Sequence, residues 1–239
     1  MPLYVYSITA KEHPHRLDGA VGVGADPSPL RTVTAGPLCA VVSDIAEEIR
    51  PKRRDLTAHQ KVQEQLMADG VILPLQFGYI ATDDLAVRQV LDSNAESYLG
   101  ALKRLEGCAE YHLRVSQADE EPLLQQILQD SPEASDLNNR IRSGDQDPAL
   151  PLALGEMIAR EVQVRQETLA AGLTEALTPF SREYLAHQSS GNDFLNLSLL
   201  VPDESKEDLR TAEANLAREI GSGIELRFSG PLPPYSFVQ

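Results

Sequence analysis

The residues best equipped for chemistry are five histidines, two cysteines, a glycine-rich run and one cluster of cations. A protein-held metal needs three or four ligands at short, fixed spacings. His13-Pro14-His15 has no cysteine beside it, and His59, His112 and His187 stand alone, with no H-E-x-x-H pair. Gly19-Ala20-Val21-Gly22-Val23-Gly24 has the composition of a phosphate loop but not its order. It runs into Ala25-Asp26-Pro27-Ser28-Pro29 rather than into a helix whose N-terminus could hold a phosphate, and no Walker lysine follows. It therefore reads as a flexible loop. No G-x-S-x-G nucleophile turn occurs. The acidic clusters Asp119-Glu120-Glu121 and Asp203-Glu204 sit at the starts of helical patterns, where carboxylates serve as caps and complement the helix dipole. Asn196-Leu197-Ser198 matches a glycosylation sequon but lies in a strand-like run. The expectation is therefore no catalytic residue, no cofactor and no metal.

Two features remain as candidates for partner contact. Arg50-Pro51-Lys52-Arg53-Arg54 is the only basic cluster, with no aromatic residue beside it for base stacking. It reads as a solvated loop or, through Arg53 and Arg54, as a docking patch for an acidic partner. His59 falls on or near the apolar face of a helical pattern, as a core or interface histidine.

These candidates sit in an acidic chain of 239 residues with a net charge of −15. Residues 1–106 carry 11 Lys and Arg against 14 Asp and Glu, and the remainder carries 10 against 22. Such a surface repels nucleic-acid phosphates and favours solubility. The 42% hydrophobic content is enough for a packed core. No apolar run reaches the ~20 residues of a membrane span, and residues 1–10 lack the basic flank of a secretory leader. The expected location is the cytoplasm, with Cys39 and Cys108 kept as thiols.

The elements that must position the candidates follow from periodicity. Leu3–Ile8, Leu30–Thr34 and Leu38–Ser43 read as strands, the last two joined at Ala35-Gly36-Pro37. Leu56–Asp69 reads as a helix through Leu56, His59, Val62 and Leu66, closed by Gly70. Residues 71–80 read as one buried strand in which Pro74 marks an edge, bulge or bend, and a single helix is expected from Asp83 or Asp84 to Lys103. A second unit begins at Gly107. It has a strand over 110–117, a short helix over 120–129, and a polar loop or broken helix over 131–149. A long helix is expected over 152–177 with a stripe of Leu154, Ile158, Val162, Arg165 and Leu169. A further helix is expected from Thr178-Pro179 to His187, then a strand over 194–201, an amphipathic helix over 203–220 and a last strand over 224–228. The expected class is α+β in two domains, residues 1–106 and 107–228, followed by an extended Pro-rich tail over 229–239. The tail carries Pro233, Pro234, Tyr235 and Phe237. Leaving such a segment free would expose apolar surface, so it is expected to dock, on its own protein or on a partner.

Taken in order, several of these segments resemble one family. They are Tyr4-Val5-Tyr6-Ser7-Ile8, Ala40-Val41-Val42-Ser43-Asp44-Ile45, and His59 with Val62 and Glu64 ahead of Val71-Ile72-Leu73-Pro74-Leu75-Gln76-Phe77-Gly78. Further on come Leu102-Lys103-Arg104-Leu105-Glu106-Gly107, Leu154-Gly155-Glu156-Met157-Ile158-Ala159, Phe194-Leu195-Asn196-Leu197 and the ending Gly230-Pro231-Leu232-Pro233-Pro234-Tyr235-Ser236-Phe237-Val238. Together they are similar to the F/L family of gas vesicle accessory proteins. Gln76 stands where that family usually has arginine, so no charge-based role is carried over there. The resemblance implies two α+β domains, the first a modified ferredoxin-like fold. It also implies a non-enzymatic role as a minor shell-associated component, or as a chaperone that binds the apolar shell protein and prevents its aggregation. Expected partners are the shell protein and other gas vesicle accessory proteins. The competing expectations are a scaffold that bridges accessory proteins without touching the shell protein, and an enzyme built on two ferredoxin-like domains.

Overall fold

A computed structural model describes residues 1–46 and 49–238. The chain divides into two compact units. The first holds Met1–Tyr111, Leu200–Asp203 and the C-terminal residues from Gly230; the second holds His112–Leu199 and Glu204–Ser229. The fold is mixed helix and sheet of the α+β kind.

In the first unit the β-branched and aromatic run Leu3–Ala10 forms β1, the centre of a sheet. Two more strands, β2 (Arg31–Ala35) and β3 (Leu38–Asp44), form a hairpin whose register starts at Ala35 opposite Leu38. Helix α1 (Arg53–Asp69) leads to β4 (Leu73–Pro74) and β5 (Ile80–Ala81). The sheet order is β2-β3-β1-β4, antiparallel throughout, with β5 also paired to β1. A bulge between Val5 and Ser7 shifts the alternation of β1 by one residue. Leu3 and Val5 therefore share a face with Ile8, while Tyr4 and Tyr6 look the other way.

That bulge decides what each face meets. The Tyr4/Tyr6 face is covered by Val62 and Leu66 of α1 and by the irregular segment 11–30, through Leu17, Ala20, Val23 and Leu30. The opposite face is covered by α2 (Asp84–Ser93) and α3 (Ala95–Leu105), through Val87, Leu91, Leu102 and Leu105. The single helix expected over 83–103 is thus two helices. Asn94 ends the first by donating its side-chain amide to the Val90 carbonyl at 2.8 Å, a local bond that competes with helix continuation. The strand expected over 71–80 is also broken. Pro74 has no N–H to give a ladder, and the chain arches through Phe77-Gly78 between the short pairings of β4 and β5, with Leu75 N–H bonding Tyr6 O and Val5 N–H bonding Tyr79 O at the two ends of the arch.

The strand β6 (Cys108–Gln117) starts in the first unit and enters the second at His112, and it is followed by α4 (Glu121–Asp130), α5 (Pro132–Arg142) and α6 (Ala149–Leu177). The polar stretch after residue 131 thus contains a true helix, started by Ser131, whose hydroxyl accepts from Ala134 N at 3.2 Å. The expected stripe of α6 is half-buried along its length, and full burial is confined to Leu150, Leu173 and Leu177. Beyond it, the expected helix from Thr178 to His187 is a single 3-10 turn, Thr178–Phe180, and then a strand, β7 (Glu183–Ala186). Pairing overrides propensity here: β7 lies beside β8 (Asp193–Pro202), and His187 N–H reaches Asn196 O at 2.8 Å. Helix α7 (Lys206–Glu219) and β9 (Ile224–Leu232) complete the unit's elements, in the sheet order β7-β8-β6-β9. β9 runs past the expected end at Phe228, and the segment expected to be extended instead turns into a 3-10 helix at Tyr235–Phe237.

Numbered within each unit, both sheets have the strand order 2-3-1-4. They differ in the first crossover, which is the irregular segment 11–30 in one and the helices α4 to α6 in the other.

Candidate partner-binding site

The seven residues singled out in the sequence fall into three places in the first unit. His59 is in the core. Its Nε2 lies 3.1 Å from the carbonyl oxygen of Leu75, which can only accept, so Nε2 carries the proton. Nδ1 is then an acceptor, and the Tyr4 hydroxyl donates to it at 3.0 Å while itself accepting from Gly78 N–H at 3.0 Å. The ring stacks on Tyr6 and meets Phe77 edge-on. Burial holds the His59 pKa below its ordinary value, partly offset by the bond to Leu75 O, and burial pushes the Tyr4 and Tyr6 hydroxyls up. This is a neutral core imidazole with both ring nitrogens bonded.

The tail residues form the second place. Pro233, Pro234 and Phe237 are buried in the unit that contains β1 and α1. The Tyr235 hydroxyl donates to Gln63 Oε1 of α1, and burial pushes its pKa up to about 12. Ser236 gives both its N–H and its hydroxyl to the Glu110 carboxylate, at 2.9 and 2.6 Å. Arg104 donates to the carbonyl of Phe237, whose ring joins the core of Val87, Leu91, Leu102 and Leu105. Gln63, Glu110 and Arg104 gave no sign of this role in the sequence, because polar residues on helices and strands are ordinarily solvated.

Arg53 and Arg54 form the third place, exposed at the start of α1. With Lys61 they line a cleft of about 760 Å³ between α1 and the segment 19–27. Asp55 organises that wall: buried in the first turn of α1, it accepts from Gly24 N–H at 2.9 Å and pairs with Arg54 at 3.2 Å. Gly22 permits a close approach, because a Cβ there would sit 3.0 Å from both the Tyr6 hydroxyl and the Ser28 carbonyl and its neighbours would have to give way. The glycine-rich run thus serves close packing onto Tyr6, whose hydroxyl also takes Val23 N–H at 2.9 Å.

A fourth feature escaped the sequence reading. On the other face of the sheet, Val5, Ile8, Ala40, Leu75, Val90 and Tyr98 help to line an apolar groove of about 320 Å³. Tyr79, Ile80 and Val90 belong to its wall and are exposed, at 47%, 44% and 37%. Leu85 and Leu99, also on α2 and α3, are exposed as well. Among the described residues no three His, Cys, Asp or Glu side chains are grouped to hold a metal, and no helix is long and apolar enough to cross a membrane.

Residues 2–239 match the family described as gas vesicle synthesis protein GvpL/GvpF. The chain is 39% identical to gas vesicle protein F of Streptomyces sp. (strain CB03234), each covered over its whole length. It is 28% identical to gas vesicle protein L of the same strain, over 98% of this chain and 92% of that one. In structure it is similar to gas vesicle protein GvpF from Anabaena sp. PCC7120, with a TM-score of 0.84 at 20% identity, covering 100% of this chain and 98% of the other. A match over nearly the whole sequence, joined to a relative of this identity and coverage, places the chain in the GvpL/GvpF family of gas vesicle synthesis proteins.

Proposed function

We propose that the protein is a non-enzymatic accessory factor of gas vesicle assembly that binds the apolar shell protein and keeps it from aggregating while the shell is built. The observation that carries this reading is the apolar groove over α2 and α3. Exposed Tyr79, Ile80 and Val90 belong to a groove lined without a charged residue, and Leu85 and Leu99 are also exposed on α2 and α3, on a chain of net charge −15. An apolar face on a charged body is what a handler of an apolar client needs. The first unit is read as a modified ferredoxin-like domain in which the segment 11–30 replaces the first crossover helix. The tail is read as an internal staple of that domain. The greater identity to the F than to the L protein of one Streptomyces strain favours the F branch. The protein is expected in the cytoplasm, associated with gas vesicles and other accessory proteins.

The test is co-expression with the gas vesicle shell protein, reading how much shell protein stays soluble and co-purifies. The expected result is more soluble shell protein, in a complex. No change in solubility, together with loss of vesicles on deletion of the gene, would instead support a scaffold among accessory proteins.

A further inference from the structure

We propose that the cleft between α1 and the segment 19–27 is a docking groove for an acidic, amphipathic helix of a partner protein. This does not rest on the shell-protein reading: the cleft lies on the Tyr4/Tyr6 face of the sheet, and the apolar groove lies on the other.

The shape comes from topology. In the second unit the first crossover is helical, whereas in the first unit it is irregular chain, so among the described residues α1 is the only helix on its face of the sheet. The cleft runs beside α1 from Arg53 through Thr57, Ala58, Lys61 and Val62 to Gln65. At 1.5 Å per residue that face is about 18 Å long, a little over three turns. The facing wall is Gly19, Ala20, Val21, Gly22, Gly24 and Ala25, small residues that let a second backbone come close, with Val21 57% exposed. A helix laid beside α1 at the usual 8–10 Å between axes would set its apolar side against exposed Val21 and half-buried Ala20 and Ala58, a helix-in-groove mode.

The charge selects the partner. Arg53, Arg54 and Lys61 line this cleft in a chain of net charge −15. Among the described residues Arg53 and Lys61 have no carboxylate partner, and Arg54 is held by Asp55. Lys61 lies eight positions after Arg53, which sets the two cations about 12 Å apart along α1. That is too far to converge on one phosphate. It matches carboxylates two turns apart on a facing helix, and complementary rows of this kind set orientation and speed of encounter.

The experiment is a fluorescence-anisotropy titration of the whole protein with a labelled helical peptide of about 18 residues, built from Ala and Leu with Glu along one side. Binding is expected to weaken about tenfold in the double variant Arg53→Glu, Lys61→Glu, and as salt is raised from about 50 to about 300 mM. Ala58→Leu, which narrows the groove without changing charge, is expected to weaken it about fivefold. The same peptide with Lys in place of Glu is expected not to bind. Circular dichroism and the thermal midpoint report that the variants fold. The proposal is overturned if the acidic peptide does not bind, if the double variant binds it equally, or if the Lys peptide binds as well. It is equally overturned if millimolar inorganic phosphate displaces the peptide, which would mark a small-anion site.

Discussion

Tyr235, four residues from the end of the sequence, donates its hydroxyl to Gln63 in the middle of α1, 172 positions earlier. Gln63 is buried and uses its amide on the carbonyls of Tyr6 and Leu75, at 2.7 and 2.9 Å. One side chain thus ties the tail, α1, the centre of the sheet and the arch after β4. The last residues belong to the core of the first unit, and their removal should be felt there.

Phe237→Ala is expected to destabilise the protein by about 3–5 kcal/mol, because the ring is 3% exposed and fills space among Leu91, Leu102 and Leu105. Tyr235→Phe removes one hydrogen bond and leaves Gln63 Oε1 buried without that donor, a loss of about 1–3 kcal/mol. Urea unfolding followed by circular dichroism measures both. Equal midpoints for Phe237→Ala and the parent protein would mean that the tail is not docked in solution.

Gly230→Ala is expected to be as damaging as Phe237→Ala. Gly230 has φ +146°, where residues with a Cβ are strained, and an added Cβ would meet Tyr111 Cδ1 at 2.5 Å and the Glu110 carbonyl at 3.0 Å. Both clashes fall on the strand that carries the tail's carboxylate partner, so the Ser236 bonds to Glu110 should be lost with them. Hydrogen exchange at the Ser236 amide, slow in the parent and fast in the variant, reports this directly.

Much of this architecture was legible in the sequence. β1 to β3, α1 and most of β6 and β8 follow from strong apolar periodicity, although on α1 Leu56 is exposed and the buried face is that of His59, Val62 and Leu66 together with Asp55 and Gln63. The misses share a physical cause. Asn94 and Pro74 break elements through single local bonds or a single absent donor, which a pattern of apolar residues does not register. The strand at Glu183–Ala186 exists because β8 is there to pair with it, a long-range fact absent from its own composition. At the candidate sites, Arg53 and Arg54 were visible as charge. Lys61 and the wall of small residues opposite became a cleft only when segment 11–30 folded over α1. The apolar groove was invisible because Tyr79 and Ile80 read as part of one buried strand, whereas both are exposed.

Stability should fall as pH drops through the mildly acidic range. His59 and His13 are both held neutral by geometry. His13 donates from Nε2 to Leu66 O at 3.0 Å, while its Nδ1 accepts from His15 N–H at 3.1 Å, so a second proton would face a donor. Burial is the first cause of the lowered pKa of His13, His15 and His59. Above the ordinary value of 6.5 neither folded nor unfolded chain binds these protons, and the full stability is present. Below 6.5 the unfolded chain takes them up first, so stability is lost until the depressed folded values are reached. The urea midpoint should be flat from about pH 8 to 7 and fall towards pH 5.5, before carboxylates titrate. His59→Gln should flatten part of that slope; an unchanged slope would remove His59 from the account.

Polar substitution in the apolar groove should separate function from fold. Ile80 and Val90 are 44% and 37% exposed, so Ile80→Asp and Val90→Asp bury no new charge deeply. Each is expected to shift stability by less than about 1.5 kcal/mol, in the range of surface changes with partial loss of packing. If the groove holds the shell protein, the double variant should fold with a near-parental thermal midpoint yet keep no more shell protein soluble than a control without it. Arg53→Glu with Lys61→Glu, on the other face of the sheet, should leave shell-protein solubility unchanged. The opposite pattern, with solubility lost in the Arg53/Lys61 variant and kept in the Ile80/Val90 variant, would move the client's contact from the apolar groove to the basic cleft. It would also mean that charge rather than apolar surface selects the client.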